Sequence, residues 1–486
     1  MRTLKIFAEQ DQERLLLFLQ SPYCTGNLDT AQELALVRYI FETFKKGENG
    51  LVDLAGAQIY AALYPNRPFK RPTINNLASS TLRMIRRFME EEVLSRMKRP
   101  VNEHASIIKY LSEKGAVDLC EKYISRSDRI EPTEETLDDL DFYLLWRAED
   151  ARSQYLGMHN LLTDDYNLQN CLSALDKFYL AARLNSLTNL FNQNRITPIL
   201  SLEERQKIID ELAYWEYSPF FKQPLIQLYY KVLLFFHLDG EEANQAFDEF
   251  MEMLQVHEKA LSPFYLKRME SFAYNYCVRR FTLEKYRNIL FQLFQRWIQP
   301  ERLAQYELIQ SHELITMVQT GLAGNRYDWV HTFLESWKNR IQGAQPSEDY
   351  YQFNRALLLF QQGEYDQARD IVVRLNFHEM QYKYHAKTLE IKLFFETGEK
   401  DFDLFESKLN SLNVGLSRET KMTKEKKKRY TQFVNFMMRL NRWRGQPDSD
   451  IKRLEKIRED VRNAQNTAEW RWLMQKLEQL DKNQNT

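Results

Sequence analysis

Apolar residues recur at helical spacing along almost the whole chain. From Leu225 to Phe236, apolar side chains stand at relative positions 0, 3, 4, 7, 8 and 11, which share one face of an α-helix. The pattern stops at Asp239-Gly240 and restarts near Ala246, which predicts a second helix after a short turn. The two helices form a hairpin, which buries its apolar faces only by packing on neighbours.

Further turns containing glycine follow at Gly324, Gly363 and Gly398, the last two being 35 residues apart. A repeat of about 34 to 45 residues is typical of arrays of two-helix units. Glycine and proline number only 14 and 13 among 486 residues, and this shortage of turn formers favours helices over strands. The sequence therefore predicts an all-α fold built from helical hairpins.

The segment around Gly363 has small residues at regular positions. Ala356 precedes the turn glycine, and Tyr365 and Ala368 follow it. With these residues, the segment from Tyr350 to Leu412 resembles the tetratricopeptide repeat (TPR) family. The resemblance implies an α-solenoid in which small residues let paired helices approach closely, and a concave face that binds a protein or peptide.

The first 125 or so residues have a different pattern, with prolines at 22 and 65 and one long amphipathic helix over residues 77–94. This head resembles that of uncharacterised helical proteins of Bacteroidota, and the resemblance implies no site. We predict three parts along the chain: an N-terminal helical head over 1–128, a TPR-like array of helical hairpins over 129–415, and basic C-terminal helices that cap the array over 416–486.

Local signals mark the starts of individual helices. Ser201 followed by Glu204 predicts a capping box, and the run Pro132-Thr133-Glu134-Glu135 predicts the start of an acidic helix. The head is expected to end over residues 126–132. In the last helix, predicted over 467–480, one apolar stripe suits a helix that closes the array, or else one that docks on a partner. The stripe consists of Trp470, Leu473, Leu477 and Leu480.

Residues with reactive or metal-binding side chains do not form a recognisable site. The four cysteines have no short pairing, so we expect free buried thiols at Cys24, Cys120, Cys171 and Cys277. Three His-Glu dipeptides lack the second histidine four residues on that a zinc protease needs. No glycine-rich phosphate loop, nucleophile elbow or dinucleotide fingerprint occurs. We therefore predict no cofactor, no metal and no enzymatic activity, although distant residues could still assemble an active site in a deep pocket.

Charge is unevenly distributed although the net charge is only −1. Residues 67–99 hold nine basic and three acidic residues, and residues 418–462 hold fifteen and seven. Residues 130–150 hold eight acidic residues and one arginine. A basic run is most often a solvated helix face. The alternatives are contact with an acidic protein surface or with the protein's own acidic helix, and contact with nucleic acid. Candidate contacts to phosphate or to an acidic surface are Arg83, Arg86, Arg87, Lys424, Lys427, Lys428, Arg439 and Arg442.

These patterns favour a non-enzymatic scaffold or adaptor that binds a protein or peptide partner on a helical-repeat surface. The alternative is an accessory protein that binds RNA or DNA through the basic helices at both ends. No stretch is long and apolar enough to insert in a membrane, and no signal peptide begins the chain, so a cytoplasmic location is expected. The resemblance to TPR proteins implies partner-binding residues on the first helices of the hairpins: Asn354, Arg355, Lys383, Lys387 and Glu390.

Overall fold

The computed structural model is almost entirely helical. It describes residues 4 and 7 and the ranges 9–22, 29–46, 56–96, 100–127, 139–158, 166–299, 308–398, 402–420, 422–444 and 451–484. These residues form 22 α-helices, three short 3₁₀ helices and one pair of two-residue strands. The prediction of an all-α fold is therefore confirmed. The chain divides into two compact units, Met1–Leu266 and Lys267–Thr486.

The first unit contains the helices up to the start of α12. Their bounds are α1 (Glu9–Gln20), α2 (Ala31–Lys46), α3 (Gly56–Leu63), α4 (Arg71–Arg96), α5 (Pro100–Glu113), α6 (Val117–Ser127), α7 (Asp139–Met158), α8 (Tyr166–Asn194), α9 (Leu202–Ala213), α10 (Pro224–His237), α11 (Gly240–His257) and α12 (Pro263–Arg279), the last of which spans the limit between the units. Short 3₁₀ helices follow α9 and α11, at Tyr214–Tyr217, Pro219–Lys222 and Glu258–Ala260.

The helices α1 to α4 share one hydrophobic core, which includes Leu15, Val37, Ile59 and Phe88. A separate cluster joins Ile108 of α5, Cys120 of α6 and Tyr155 of α7. The helices on either side of residue 128 therefore pack on each other. The boundary proposed over residues 126–132 and the acidic helix start at Pro132 lie mostly or wholly outside the described residues.

The start of α9 agrees with the sequence pattern. The hydroxyl of Ser201 accepts a hydrogen bond from the backbone N–H of Glu204 at 3.1 Å, and the Glu204 carboxylate accepts one from the Ser201 N–H at 2.8 Å. The capping box is confirmed. At the end of α10, Arg195 donates hydrogen bonds to the carbonyl oxygens of Phe236 and Leu238, so its guanidinium group lies where the helix dipole is negative.

The second unit contains the remaining helices. Their bounds are α13 (Glu284–Trp297), α14 (Ser311–Ala323), α15 (Tyr327–Trp337), α16 (Ser347–Gln362), α17 (Tyr365–Val372), α18 (Met380–Glu396), α19 (Phe402–Arg418), α20 (Lys424–Arg444), α21 (Ile451–Asn463) and α22 (Trp470–Gln484). The strands β1 (Ile309–Gln310) and β2 (Ile341–Gln342) pair in parallel just before α14 and α16.

Successive hairpins in this unit stack in a regular order. The first helices α14, α16 and α18 contact one another in series, and each second helix, α15 or α17, contacts the first helix of its own hairpin and of the next. Further along the chain, α18 contacts α19, α19 contacts α20, and α20, α21 and α22 follow in sequence. Each of these hairpins thus packs on the next one.

Candidate partner-binding site

The hairpin α16–α17 shows why small residues occupy its motif positions. Gly363 ends α16 with φ of 85°, a left-handed conformation that glycine adopts without strain. Ala356 and Ala368 are fully buried, and the ring of Tyr365 lies 5.4 Å from that of Phe360. The alanines therefore pack between helices and are not free to bind a partner.

A polar network ties together the first turns of α14, α16 and α18. The hydroxyls of Tyr350 and Ser311 donate to the Glu379 carboxylate at 2.7 and 3.1 Å, and the hydroxyl of Tyr382 donates to the carbonyl oxygen of Ser311 at 2.7 Å. Asn354 donates to the Tyr350 carbonyl oxygen at 2.8 Å and to the Tyr382 hydroxyl at 3.2 Å. Burial and the Glu379 carboxylate raise the pKa of Tyr350 to about 12, so its hydroxyl remains a donor.

Asn354 is 0% exposed, because Tyr382 of the next hairpin covers it. The prediction that Asn354 contacts a partner is therefore wrong. It joins adjacent hairpins instead, and its role is structural. Its side-chain oxygen has no hydrogen bond to any described residue.

The other four predicted partner residues keep part of their surface in solvent. Arg355 is exposed on α16, and Lys383, Lys387 and Glu390 are half-buried on one stripe of α18. Glu390 accepts a hydrogen bond from Lys408 of α19 at 2.6 Å, so its charge is already paired. Burial, together with repulsion from Lys383, lowers the pKa of Lys387. Arg355, Lys383 and Lys387 form no ion pair with the described residues.

Another face of α18 is covered by the C-terminal helices. The ring of His385 lies 6.5 Å from Tyr430 of α20, and Phe395 makes an edge contact with Trp472 of α22 at 5.6 Å. Lys392 and Glu469 form an ion pair of 2.7 Å. This face of α18 is therefore covered by the chain itself.

Several further contacts fix α22 in this place. Glu396 of α18 accepts hydrogen bonds from the indole N–H of Trp472 and from the ammonium group of Lys476, both at 2.7 Å. Leu473 and Leu477 are fully buried, as the apolar stripe predicts. Arg471 donates to the carbonyl oxygen of Thr282, just before α13.

Arg83, Arg86 and Arg87 form one exposed face of the long helix α4, on the side opposite the buried Ile85 and Phe88. Within the described part of the chain none of these three arginines forms an ion pair. Their positive charges therefore remain open to solvent.

The predicted basic residues of α20 separate into two groups. Arg439 pairs with Asp460 of α21 at 2.7 Å, and Arg442 pairs with Glu406 of α19 at 3.1 Å. Their charges serve contacts between helices, so the prediction that they contact phosphate or an acidic partner is not supported. Lys424 is exposed, Lys427 approaches the carbonyl oxygen of Ser417 at 3.5 Å, and Lys428 faces a cleft.

This cleft lies between the first half of α20 and the turn that joins α21 to α22, and its volume is about 500 Å³. We call it the basic cleft; its lining residues are Glu425, Lys428, Arg429, Gln432, Asn463, Ala464, Gln465 and Asn466. Sequence reasoning found Lys428 but not the amide residues. For three of these amide residues, the only indication in the sequence was the run Asn463-Ala464-Gln465-Asn466 between two helices, and such a run is also typical of an ordinary turn.

Other features bear on the chemistry of the chain. No described cysteine forms a disulfide: Cys120 and Cys277 are buried, as predicted, Cys171 is half-buried, and Cys24 lies outside the described residues. Within the ranges described, no three His, Cys, Asp or Glu side chains are placed to hold a metal ion. No described helix combines the length and the apolar character needed to cross a membrane. Compared with protein-family models, curated proteins and solved structures, the chain has no match.

Proposed function

We propose that this protein is a non-enzymatic adaptor of the cytoplasm, built as a TPR-like α-solenoid, which binds a protein or peptide partner through its second unit. The observation that carries the proposal is the serial packing of the first helices α14, α16 and α18, with α15 and α17 as second helices. Stacked hairpins of this kind present extended surfaces rather than enclosed active sites.

The partner surface proposed here is basic. Arg355 is exposed and Lys383 and Lys387 are half-buried on adjacent first helices, and none of them has an ion-pair partner among the described residues, whereas Glu390 is paired with Lys408. A partner with acidic side chains would gain charge-assisted hydrogen bonds to these residues. The covered face of α18 is not part of the surface, because α20 and α22 occupy it.

The test is a pull-down from host lysate with the full chain, with and without nuclease, in which protein and nucleic acid are both identified. A stoichiometric protein that survives nuclease, and is lost when Arg355, Lys383 and Lys387 are replaced by Glu, would support the adaptor. A matched control replaces the exposed Lys109, Lys207 and Lys259 by Glu, which changes the net charge equally. Equal loss of the partner with both variants would show that the net charge of the protein, and not this surface, retains the partner.

A second candidate function is binding of RNA or DNA, and the exposed arginine face of α4 favours it. Arg83, Arg86 and Arg87 would each neutralise a phosphate and release counterions, so affinity would fall steeply with salt. We expect replacement of all three by Glu to abolish binding of a 20-base-pair DNA or RNA duplex. Unchanged binding would exclude this face.

A further inference from the structure

The basic cleft contains hydrogen-bond donors for which the described residues supply no acceptor. Arg429 is held at one edge, because its Nε–H donates to the carbonyl oxygen of Asn466 at 2.8 Å and its own carbonyl accepts from Ala468 N–H at 3.2 Å. Its two terminal amino groups form no hydrogen bond to any described residue. Arg429 is thus oriented in advance, with its donor pair free to bind a carboxylate or phosphate oxygen pair.

Positive charge is concentrated beside the guanidinium group of Arg429. Lys428 lines the cleft without an ion pair to the described residues, and Lys424 and Lys426 belong to the same first turns of α20. Cations at the start of a helix are destabilising, because the helix dipole is positive there. Burial, and then repulsion from Arg429, lowers the pKa of Lys426. An anion bound next to Arg429 would relieve both unfavourable interactions.

The remaining lining residues distinguish between classes of anion. Four of the residues that line the cleft carry side-chain amides, and amides both donate and accept hydrogen bonds, as a peptide backbone requires. None of the described residues that line the cleft is aromatic, whereas single-stranded nucleic acids are held largely by stacking on aromatic rings. Glu425 also lines the cleft, and its carboxylate can accept a hydrogen bond from a peptide N–H. The amides are those of Gln432, Asn463, Gln465 and Asn466.

We propose that the basic cleft binds a short acidic peptide segment of the partner. Arg429 and Lys428 hold a carboxylate side chain, and the amides bind the adjoining main chain. The volume of about 500 Å³ admits a few residues and not a folded domain. This inference rests on the proposed adaptor function, and it adds a second contact to the surface of Arg355, Lys383 and Lys387.

The test is isothermal titration calorimetry of the full chain with the capped peptide Gly-Glu-Asp-Glu-Asp-Glu-Gly. We expect binding that weakens as salt is added, and no binding of the same peptide with amides in place of the acids. Arg429→Gln should weaken binding about tenfold or more, because a charge-assisted hydrogen-bond pair is lost. Lys428→Gln should weaken it about two- to fivefold and leaves every contact of the fold intact.

The matched control is Lys427→Gln, which makes the same change of charge on the same helix but outside the cleft. Equal weakening by Lys427→Gln and Lys428→Gln, or equal binding of the amide peptide, would overturn the proposal. Binding of a twelve-nucleotide uridine RNA that depends on Arg429, without binding of the peptide, would overturn it in favour of nucleic acid. If the pull-down partner is retained by Arg429→Gln while the peptide fails to bind, the adaptor function stands and the cleft proposal fails.

Discussion

Replacing Glu469 by Gln removes the negative charge that faces the buried ammonium group of Lys392. The Lys392 side chain is only 7% exposed, and its ammonium group lies 4.5 Å from the ring centre of Phe360 and 5.8 Å from that of Trp472. Burial opposes ionisation of Glu469, but the charge of Lys392 and its hydrogen bond outweigh this effect, so the pKa of Glu469 is lowered. The pair thus ties the start of α22 to α18.

Removing one member of a buried ion pair costs about 3–5 kcal/mol. The Glu469 side chain is 26% exposed and glutamine still offers an oxygen to Lys392, so we expect a lower cost for Glu469→Gln, about 2–3 kcal/mol. Lys392→Met should lower the free energy of unfolding by about 1 kcal/mol, because methionine fills the apolar space and the remaining Glu469 carboxylate is partly hydrated. The double variant should also lose only about 1 kcal/mol, which makes the two effects non-additive.

Hydrogen exchange followed by mass spectrometry on the full chain measures this local stability. For Glu469→Gln, the amides of α22 should exchange roughly 30- to 140-fold faster, as a cost of about 2–3 kcal/mol requires. Glu455→Gln, an exposed carboxylate on α21, is the matched control and should change nothing. Exchange that stays at the wild-type rate in Glu469→Gln, or a double variant as unstable as the sum of the single ones, would refute the reasoning.

Three further predictions follow from contacts elsewhere in the chain. Burial lowers the pKa of His385 to about 4, so the folded state resists protonation of this side chain. The stability that the neutral imidazole contributes is complete above pH about 6.5 and falls towards pH 4. In urea unfolding, the free energy of unfolding should therefore differ less between pH 7 and pH 5 in His385→Gln than in the wild type. Arg195→Ala should lower the free energy of unfolding by about 2 kcal/mol. Arg195→Lys should lower it by more than half of that amount, because lysine cannot reach both carbonyl groups at the end of α10. Thermal unfolding followed by circular dichroism measures both changes. Gly363→Ala should lower the free energy of unfolding by about 1 kcal/mol, through its positive φ alone. Gly321→Ala should lower it by about 2–3 kcal/mol, because its new methyl would lie 2.5 Å from Val330, and equal melting temperatures for the two variants would contradict this difference.

The features that sequence reasoning predicted well depend on residues close together in the chain. The capping box at Ser201 and Glu204 spans four residues, and the turn at Gly363 needs only one residue with positive φ. The buried stripe of Leu473 and Leu477 follows from helical spacing alone. Such signals are local, so tertiary contacts did not alter them.

The predictions that failed concern residues whose surroundings come from distant segments. Asn354 is polar and lies beside packed positions, but Tyr382, 28 residues later, buries it. The two-residue strands before α14 and α16 are too short to produce an alternating pattern, so nothing in the sequence pointed to their pairing. The covering of α18 by α22 joins residues about 77 positions apart, and spacing within one helix holds no information about it.

The pairing of charges is what separates structural cations from candidate binding residues in this chain. A run of lysines and arginines looks uniform in sequence, but Arg439 and Arg442 each meet a carboxylate on a neighbouring helix, whereas Lys428 meets none among the described residues. A paired cation has already lost much of its attraction for another anion, because its field is neutralised at short range. Partner binding should therefore depend on the unpaired lysines and arginines of each run. A variant at Arg439 should reduce the stability of the fold more than it reduces partner binding.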